Sequence, residues 1–156
     1  MVHINPVWKE QKFYIGTELS SGQSPTWTYS QLCEGITGIT PSVNETTQTY
    51  YFMCGNGGAD NEVTAIAPQY AVAGRRIRGN AAQDYIAGLR YALGDSRKSS
   101  LKIELYDTSD ALVATIIADC TITDIVDFGG NTEENAPFSC TLRVNGIPTV
   151  TTPTGG

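Results

Sequence analysis

A mainly β fold with one flanking α-helix is what this sequence predicts, on three observations. Residues 80–94 carry a helix signature: Asn80 is a good N-cap, and Gln83 stands three residues on, at capping-box spacing. Ala82, Ile86, Leu89 and Leu93 then recur at helical spacing, and Gly94 lies where a left-handed C-cap belongs. Apolar residues elsewhere alternate with period two, most clearly in Leu101-Lys102-Ile103-Glu104-Leu105-Tyr106 and from Phe138 to Val144. Thr, Gly, Ser and Asn are plentiful, the composition of a β-protein with much neutral polar surface.

The elements follow in order. Residues 1–25 read as an extended arm and a loop outside the core, because apolar positions are scattered and Ser20 to Pro25 is turn-rich. Trp27-Thr28-Tyr29 opens a strand. A second strand runs from Glu34 to Thr40, where Gly35 and Gly38 mark a bulge or a close backbone approach. Pro41 to Thr47 is a polar connection, and Thr49 to Cys54 is a strand of aromatic and β-favouring residues. Gly55 to Asn61 reads as a flexible loop; it lacks the Gly-Lys-Ser/Thr ending of a phosphate-binding loop, which excludes nucleotide binding there. Val63 to Ala73 contains the strand before the helix, interrupted at Pro68. Beyond the helix, the alternation at 101–106 turns through Asp107 to Asp110 and returns as a hairpin from Leu112 to Ala118. Cys120, Ile122 and Ile125 continue one face, with Thr121, Thr123 and Asp124 outward. Gly129 to Asn135 is an acidic loop. Pro137 begins the last strand, closed by an Asn145-Gly146 turn and Pro148. Thr149 to Gly156 reads as a tail outside the core, disordered or docked on a neighbour.

The 156 residues suit one domain, long enough to bury roughly 70% of the unfolded chain's surface. Charged residues make up only 17%, as expected if neutral polar surface is covered in an assembly. The net charge of −6 argues against gripping nucleic acid, which needs clustered Lys and Arg. No apolar stretch approaches the length of a membrane span. The start, Met1 to Pro6, has neither the charged region nor the apolar core of a signal peptide, so the chain is expected to be made and kept in the cytoplasm. Cys33, Cys54, Cys120 and Cys140 form no Cys-x-x-Cys pair, and the only histidine is His3, so zinc-site spacing is absent. Free thiols are expected, with Cys120 and Cys140 as small buried hydrophobes.

Chemistry finds little support, and no cofactor or metal is expected. His3 is terminal, and no nucleophile–base–orienter set is visible. Asp124, Asp127, Asn131, Glu133 and Glu134 make an oxygen-rich patch, but its spacing matches no calcium loop and solvated carboxylates are the better reading. Asn44-Glu45-Thr46 is a glycosylation sequon, without meaning in a chain kept in the cytoplasm. Arg75, Arg76 and Arg78 end the strand before the helix, with Arg76 and Arg78 on one side by alternation. They are either a solvated strand end or ion-pair partners for a neighbouring subunit, a task that suits the planar guanidinium.

The strand, basic turn and capped helix from Val72 to Ile86, the Leu93-Gly94-Asp95-Ser96-Arg97 step into Leu101 to Tyr106, and the closing strand with Asn145-Gly146-Ile147-Pro148 together resemble the major tail tube protein of long-tailed, siphovirus-type bacteriophages. The resemblance covers about residues 70–150; Asn80 departs from the aspartate more usual there, and both cap a helix. It implies a two-sheet β-sandwich with a flanking helix, whose inner sheet joins a multi-subunit β-barrel ring. It further implies a structural, non-enzymatic subunit of hexameric rings stacked into a hollow conduit for DNA ejection. The implied partners are other copies of the chain, a tape measure protein inside the tube, terminator and baseplate or distal tail proteins at its ends, and DNA in transit without specific binding. The implied location is the virion tail, after assembly in the host cytoplasm. A secretion-system tube ring protein and a β-sandwich decoration or adhesin module are the alternatives. On this reading Glu34, Asp119, Asp124 and Asp127 are candidates for the lumen wall. Arg75, Arg76, Arg78, Asn44, Gly57, Gly58 and Pro153 are candidates for contacts between subunits.

Overall fold

A computed structural model describes residues 4–154; His3 and the ends of the arm and tail lie outside the described residues. The chain is mainly β, with α1 (Val7–Glu10), β1 (Gln11–Leu19), β2 (Trp27–Gln31), β3 (Ile36–Ser42), β4 (Thr46–Tyr51), β5 (Ala59–Ala65) and β6 (Gln69–Arg75) leading to α2 (Ala81–Gly88). Three long strands complete it: β7 (Lys98–Tyr106), β8 (Leu112–Val126) and β9 (Pro137–Thr151). The described residues form two sheets. One has seven strands in the order β2-β1-β7-β8-β9-β6-β3, and the other is the hairpin β4-β5.

The large sheet folds over on itself. Strands β1 and β6 have three strands between them, which in a flat sheet would separate them by about 19 Å. Yet the rings of Phe13 and Tyr70 meet edge-on with centroids 6.1 Å apart. The two halves therefore face each other around one core. Its wall is the alternating inward set Phe13, Ile15, Leu101, Ile103, Cys120, Ile122, Phe138, Cys140 and Leu142, all buried. The period-two pattern of the sequence becomes the inside and outside of this roll. Ala82 and Ile86 of α2 close one opening of it.

Several expectations are corrected. Residues 11–19 are not an arm: β1 pairs with both β2 and β7, and Phe13 and Ile15 sit in the core. The alternation is short, and Gly16, packed against the Trp27 ring, interrupts it. The stretch 149–151 is not tail, because Thr149, Val150 and Thr151 pair with Ile117, Ile116 and Thr115. Asn145-Gly146 is not a turn that ends the strand. Gly146 has φ +78 and sits in a bulge within β9, which continues beyond it. The expected loop 55–61 is shorter, with Ala59 already in β5.

The helix is shorter too. It ends at Gly88, and the expected run to Leu93 is broken by a turn. The reason is local hydrogen bonding. Arg90 Nη1 donates to the Ala87 carbonyl at 2.7 Å, while Arg97 donates to the Arg90 and Ala92 carbonyls at 2.7 and 2.8 Å. Those side chains satisfy carbonyls that the end of the helix and the turn after it leave free. Leu89 still packs against the core, but Leu93 is 86% exposed and leaves the stripe. Gly94 is left-handed, at φ +63, and opens a 3-10 turn without capping the helix.

The glycine reading of the second strand holds. A register shift lies between Ile36 and Gly38, and a Cβ on Gly74 would strike the Gly35 carbonyl opposite. All four cysteines are free, with Cys120 and Cys140 buried in the core and Cys33 and Cys54 exposed.

Candidate functional site

The most unusual surface is the hairpin β4–β5. Every residue of both strands is exposed, so it leans on nothing in its own chain. It leaves the body at a kink where Asn44 takes φ +52 and its amide donates to the Ala67 carbonyl at 3.1 Å. Pro68 follows, with no N–H to continue a ladder. An isolated two-stranded hairpin is marginal in water, yet this one ends in apolar side chains. Tyr51 is 73%, Phe52 57% and Met53 101% exposed, and Tyr50 stacks on Phe52 at 5.8 Å. Asn56, Gly57 and Gly58 form the turn at its tip. Further large apolar side chains stand free at the far end of β8 and β9, among them Val113, Ile147 and Val150.

A second cluster ties the helix to the loop after β8. Asn80 Oδ1 accepts from the Gln83 N–H at 3.1 Å, as the capping pattern predicts. Gln83 does not complete the box. It is fully buried and turns its side chain outward from the helix axis to join three segments. Its Oε1 accepts from the Ile77 N–H at 2.7 Å, and its Nε2 donates to the carbonyls of Glu34 at 2.8 Å and Arg75 at 3.0 Å. Beside it, Arg76 Nη2 meets Asp84 Oδ1 at 2.7 Å, and Asp127 Oδ2 receives Arg90 Nη1 at 3.1 Å with Arg76 Nε at 3.8 Å. The bond from Arg76, first among its causes, holds the Asp84 carboxyl below the usual carboxylate range.

This cluster takes in two of the residues expected at the lumen or between subunits. The Arg76 side chain is 5% exposed and the Asp127 side chain 2%, so both are spent within the protomer. In the protomer Asp127 faces Arg76 and Arg90, and Arg76 faces Asp84 and Asp127. Alternation failed because β6 ends at Arg75 and Arg76 lies in the following turn, where it bends inward. The other acids stay on the surface: Glu34 beside β3, Asp119 on the outward face of β8 opposite Asn145, and Asp124 at a bulge with φ +54, where Arg143 approaches at 3.8 Å. Arg75 and Arg78 are exposed, as are Asn44, Gly57, Gly58 and Pro153. Among the described residues, no three His, Cys, Asp or Glu side chains gather to hold a metal ion. No described helix is long and apolar enough to cross a membrane.

A β-sheet rolled around one core, flanked by a helix and carrying a free hairpin, is the tail tube fold. The tail of an empty GTA particle, refined helically with C6 symmetry, has a chain that matches with TM-score 0.65 at 13% identity, over 95% of this chain and 99% of that one. The anti-feeding prophage cap, the AFP tube terminating cap, matches with TM-score 0.58 at 17% identity, over 98% and 94%. The sheath-tube complex of PVC, an extracellular contractile injection system, matches in its extended state with TM-score 0.59 at 13% identity, over 95% and 91%. No protein-family model and no curated protein matches the sequence.

Proposed function

We propose that this chain is a structural, non-enzymatic tube subunit that assembles into hexameric rings stacked as the hollow tail of a long-tailed, siphovirus-type bacteriophage. The observation that carries the proposal is the free hairpin β4–β5, whose apolar tip has no core of its own to enter and needs another copy to cover it. The end-to-end likeness to chains of tubes and tube caps supports the same reading. A tape measure protein would fill the bore during assembly in the host cytoplasm, and terminator and baseplate or distal tail proteins would close the ends. Electron microscopy of the concentrated protein tests this: stacked tubes are expected, and monomers at every concentration would favour a decoration or adhesin module. The likeness to a tube terminating cap favours a second reading, a terminal ring. Single rings that never stack would select it. Purification of native particles decides the type of tail: a contractile sheath around the tube would replace the siphovirus reading with a contractile or secretion system.

The exposed Glu34, Asp119 and Asp124 are proposed to face the lumen. Duplex DNA carries about one negative charge per 1.7 Å, and a cationic wall would hold it by counterion release. Ring symmetry repeats each acid around the bore and keeps DNA near the axis. Arg75, Arg78, Asn44, Gly57, Gly58 and Pro153 are proposed to meet neighbouring copies. A tube reconstruction that places the three acids outward, or that finds more Lys and Arg than Asp and Glu in the bore, defeats the lumen assignment.

A further inference from the structure

Asn56 and Gly57 are the central residues of the turn that closes the hairpin β4–β5. Both have positive φ, at +51 and +83, and the Gly58 N–H donates to the Gly55 carbonyl at 2.9 Å. This is the Asn-Gly pattern of a I′ turn. The chain holds one other Asn-Gly pair, Asn145-Gly146, inside β9. An asparagine before glycine is open to a self-reaction, because no Cβ on the glycine shields its backbone nitrogen from the side-chain amide. The two pairs differ in what holds them. Asn145 pairs with Asp119 across β8 and β9, and its Nδ2 donates to Thr121 Oγ1 at 2.9 Å. Asn5, Asn44, Asn61 and Asn80 likewise commit their side chains to hydrogen bonds, but the exposed Asn56 does not. Among the described residues, the Gly57 N–H makes no backbone hydrogen bond, and a Cβ there would meet nothing within 4 Å.

We infer that Asn56-Gly57 is a site of spontaneous deamidation, and that the fold directs the reaction there and away from Asn145-Gly146. Hydroxide takes the Gly57 amide proton, and the Gly57 nitrogen attacks Asn56 Cγ. The N–Cγ bond forms, the Cγ–Nδ2 bond breaks, and Nδ2 leaves as ammonia after taking a proton from water. Water then opens the five-membered succinimide. Breaking the new N–Cγ bond gives aspartate, and breaking the original backbone C–N bond gives isoaspartate. Nothing is oxidised or reduced. The attack needs rotation about the Asn56 ψ, which stands at 38 in the turn. One hydrogen bond closes that turn and the strands beside it are uncovered, so local opening supplies the rotation readily. At Asn145 the same opening would also break sheet pairing. Either product adds negative charge to a segment, residues 43–67, that already holds Glu45, Asp60 and Glu62 and no Lys or Arg. Isoaspartate also lengthens the backbone of the turn by one methylene. The modified residue stands close to Phe52 and Met53 at the apolar tip. Deamidation is therefore a clock on free copies, which lose competence to assemble as they age; this consequence alone rests on the proposed self-assembly.

The test follows both Asn-Gly pairs in purified wild-type protein held at mildly alkaline pH. Peptide mapping by mass spectrometry, with isoaspartate labelled by isoaspartyl methyltransferase, reads each site separately. Asn56 should convert at least about tenfold faster than Asn145, which must first break a hydrogen bond and its strand pairing. In denaturant the two should convert at similar rates. Equal rates in the native protein, no conversion at Asn56, or an undiminished preference for Asn56 in denaturant would overturn the inference. Asn56→Gly is the second arm. Glycine accepts the positive φ, so this variant should melt as wild type does and take no label at the tip. Aged wild-type protein should form fewer tubes than fresh protein, as read by sedimentation and electron microscopy. Asn56→Gly aged alongside it should form as many as when fresh. Deamidated protein that polymerises as fresh protein does would overturn the clock and leave the modification site standing. Fresh wild-type protein that forms no tubes would overturn the assembly reading and the clock with it, while the mapping of the two pairs still decides the modification.

Discussion

Replacing Asp127 by alanine should destabilise the protomer more than removing the Asp84 carboxylate does. The carboxylate is buried, with Arg90 at 3.1 Å and Arg76 at 3.8 Å. Removing one partner of a buried ion pair typically costs about 3–5 kcal/mol, because the remaining charge stays out of water. Two features place this case at the low end. Arg76 keeps Asp84 at 2.7 Å, and the Arg90 side chain is 35% exposed, so solvent screens part of its charge. About 3 kcal/mol is therefore expected, which for a domain of this size lowers the melting temperature by about 6–12 °C. Calorimetry or a circular dichroism melt reads it directly. Asp84→Ala is the control and should fall less, since that carboxylate is 45% exposed. An Asp127→Ala melting point within about 2 °C of wild type would refute the claim that the buried cluster ties the loop to the helix.

The helix boundary makes a sharp pair. Ile86→Ala should cost about 2–5 kcal/mol, because Ile86 is fully buried, while Leu93→Ala should stay within about 0.5 kcal/mol, and equal melting of the two would refute the boundary. Native protein should titrate two thiols with Ellman's reagent and four in denaturant. Burial pushes Cys120 and Cys140 up to about 12, whereas Cys33 and Cys54 are exposed; four fast thiols would contradict the core. The lowered Asp84 pKa also makes a pH prediction. Its stabilisation is present above the unfolded value of about 3.9 and is lost as pH falls through the lower folded value. The melting difference between wild type and Asp84→Asn should thus be steady above about pH 5 and shrink on acidification; a difference that grows toward low pH would reverse the sign of the argument.

Local signals in the sequence determined local structure. The Asn80–Gln83 spacing marked the helix start, because capping needs only residues three apart. The alternation at 101–106 and 138–144 marked core strands, because pleating sends every second side chain inward. Gly35 and Gly38 marked a close approach and a bulge: a Cβ on Gly35 would strike the Arg75 carbonyl, and the register shifts between Ile36 and Gly38. The arrangement of these pieces was decided elsewhere. Strand β1 reads locally as an arm, and its partners Leu101 and Ile103 come from the middle of the chain. Arg76 and Asp127 passed for surface charges, since nothing at either position announces a partner so distant in sequence. The hairpin β4–β5 has the composition of an ordinary sheet, yet it leaves the body at Asn44 and every residue of its strands is exposed. Periodicity records which side of an element is apolar. What that side packs against, and which charges meet when it does, depends on contacts between residues far apart in the chain, and these the tertiary structure alone decided.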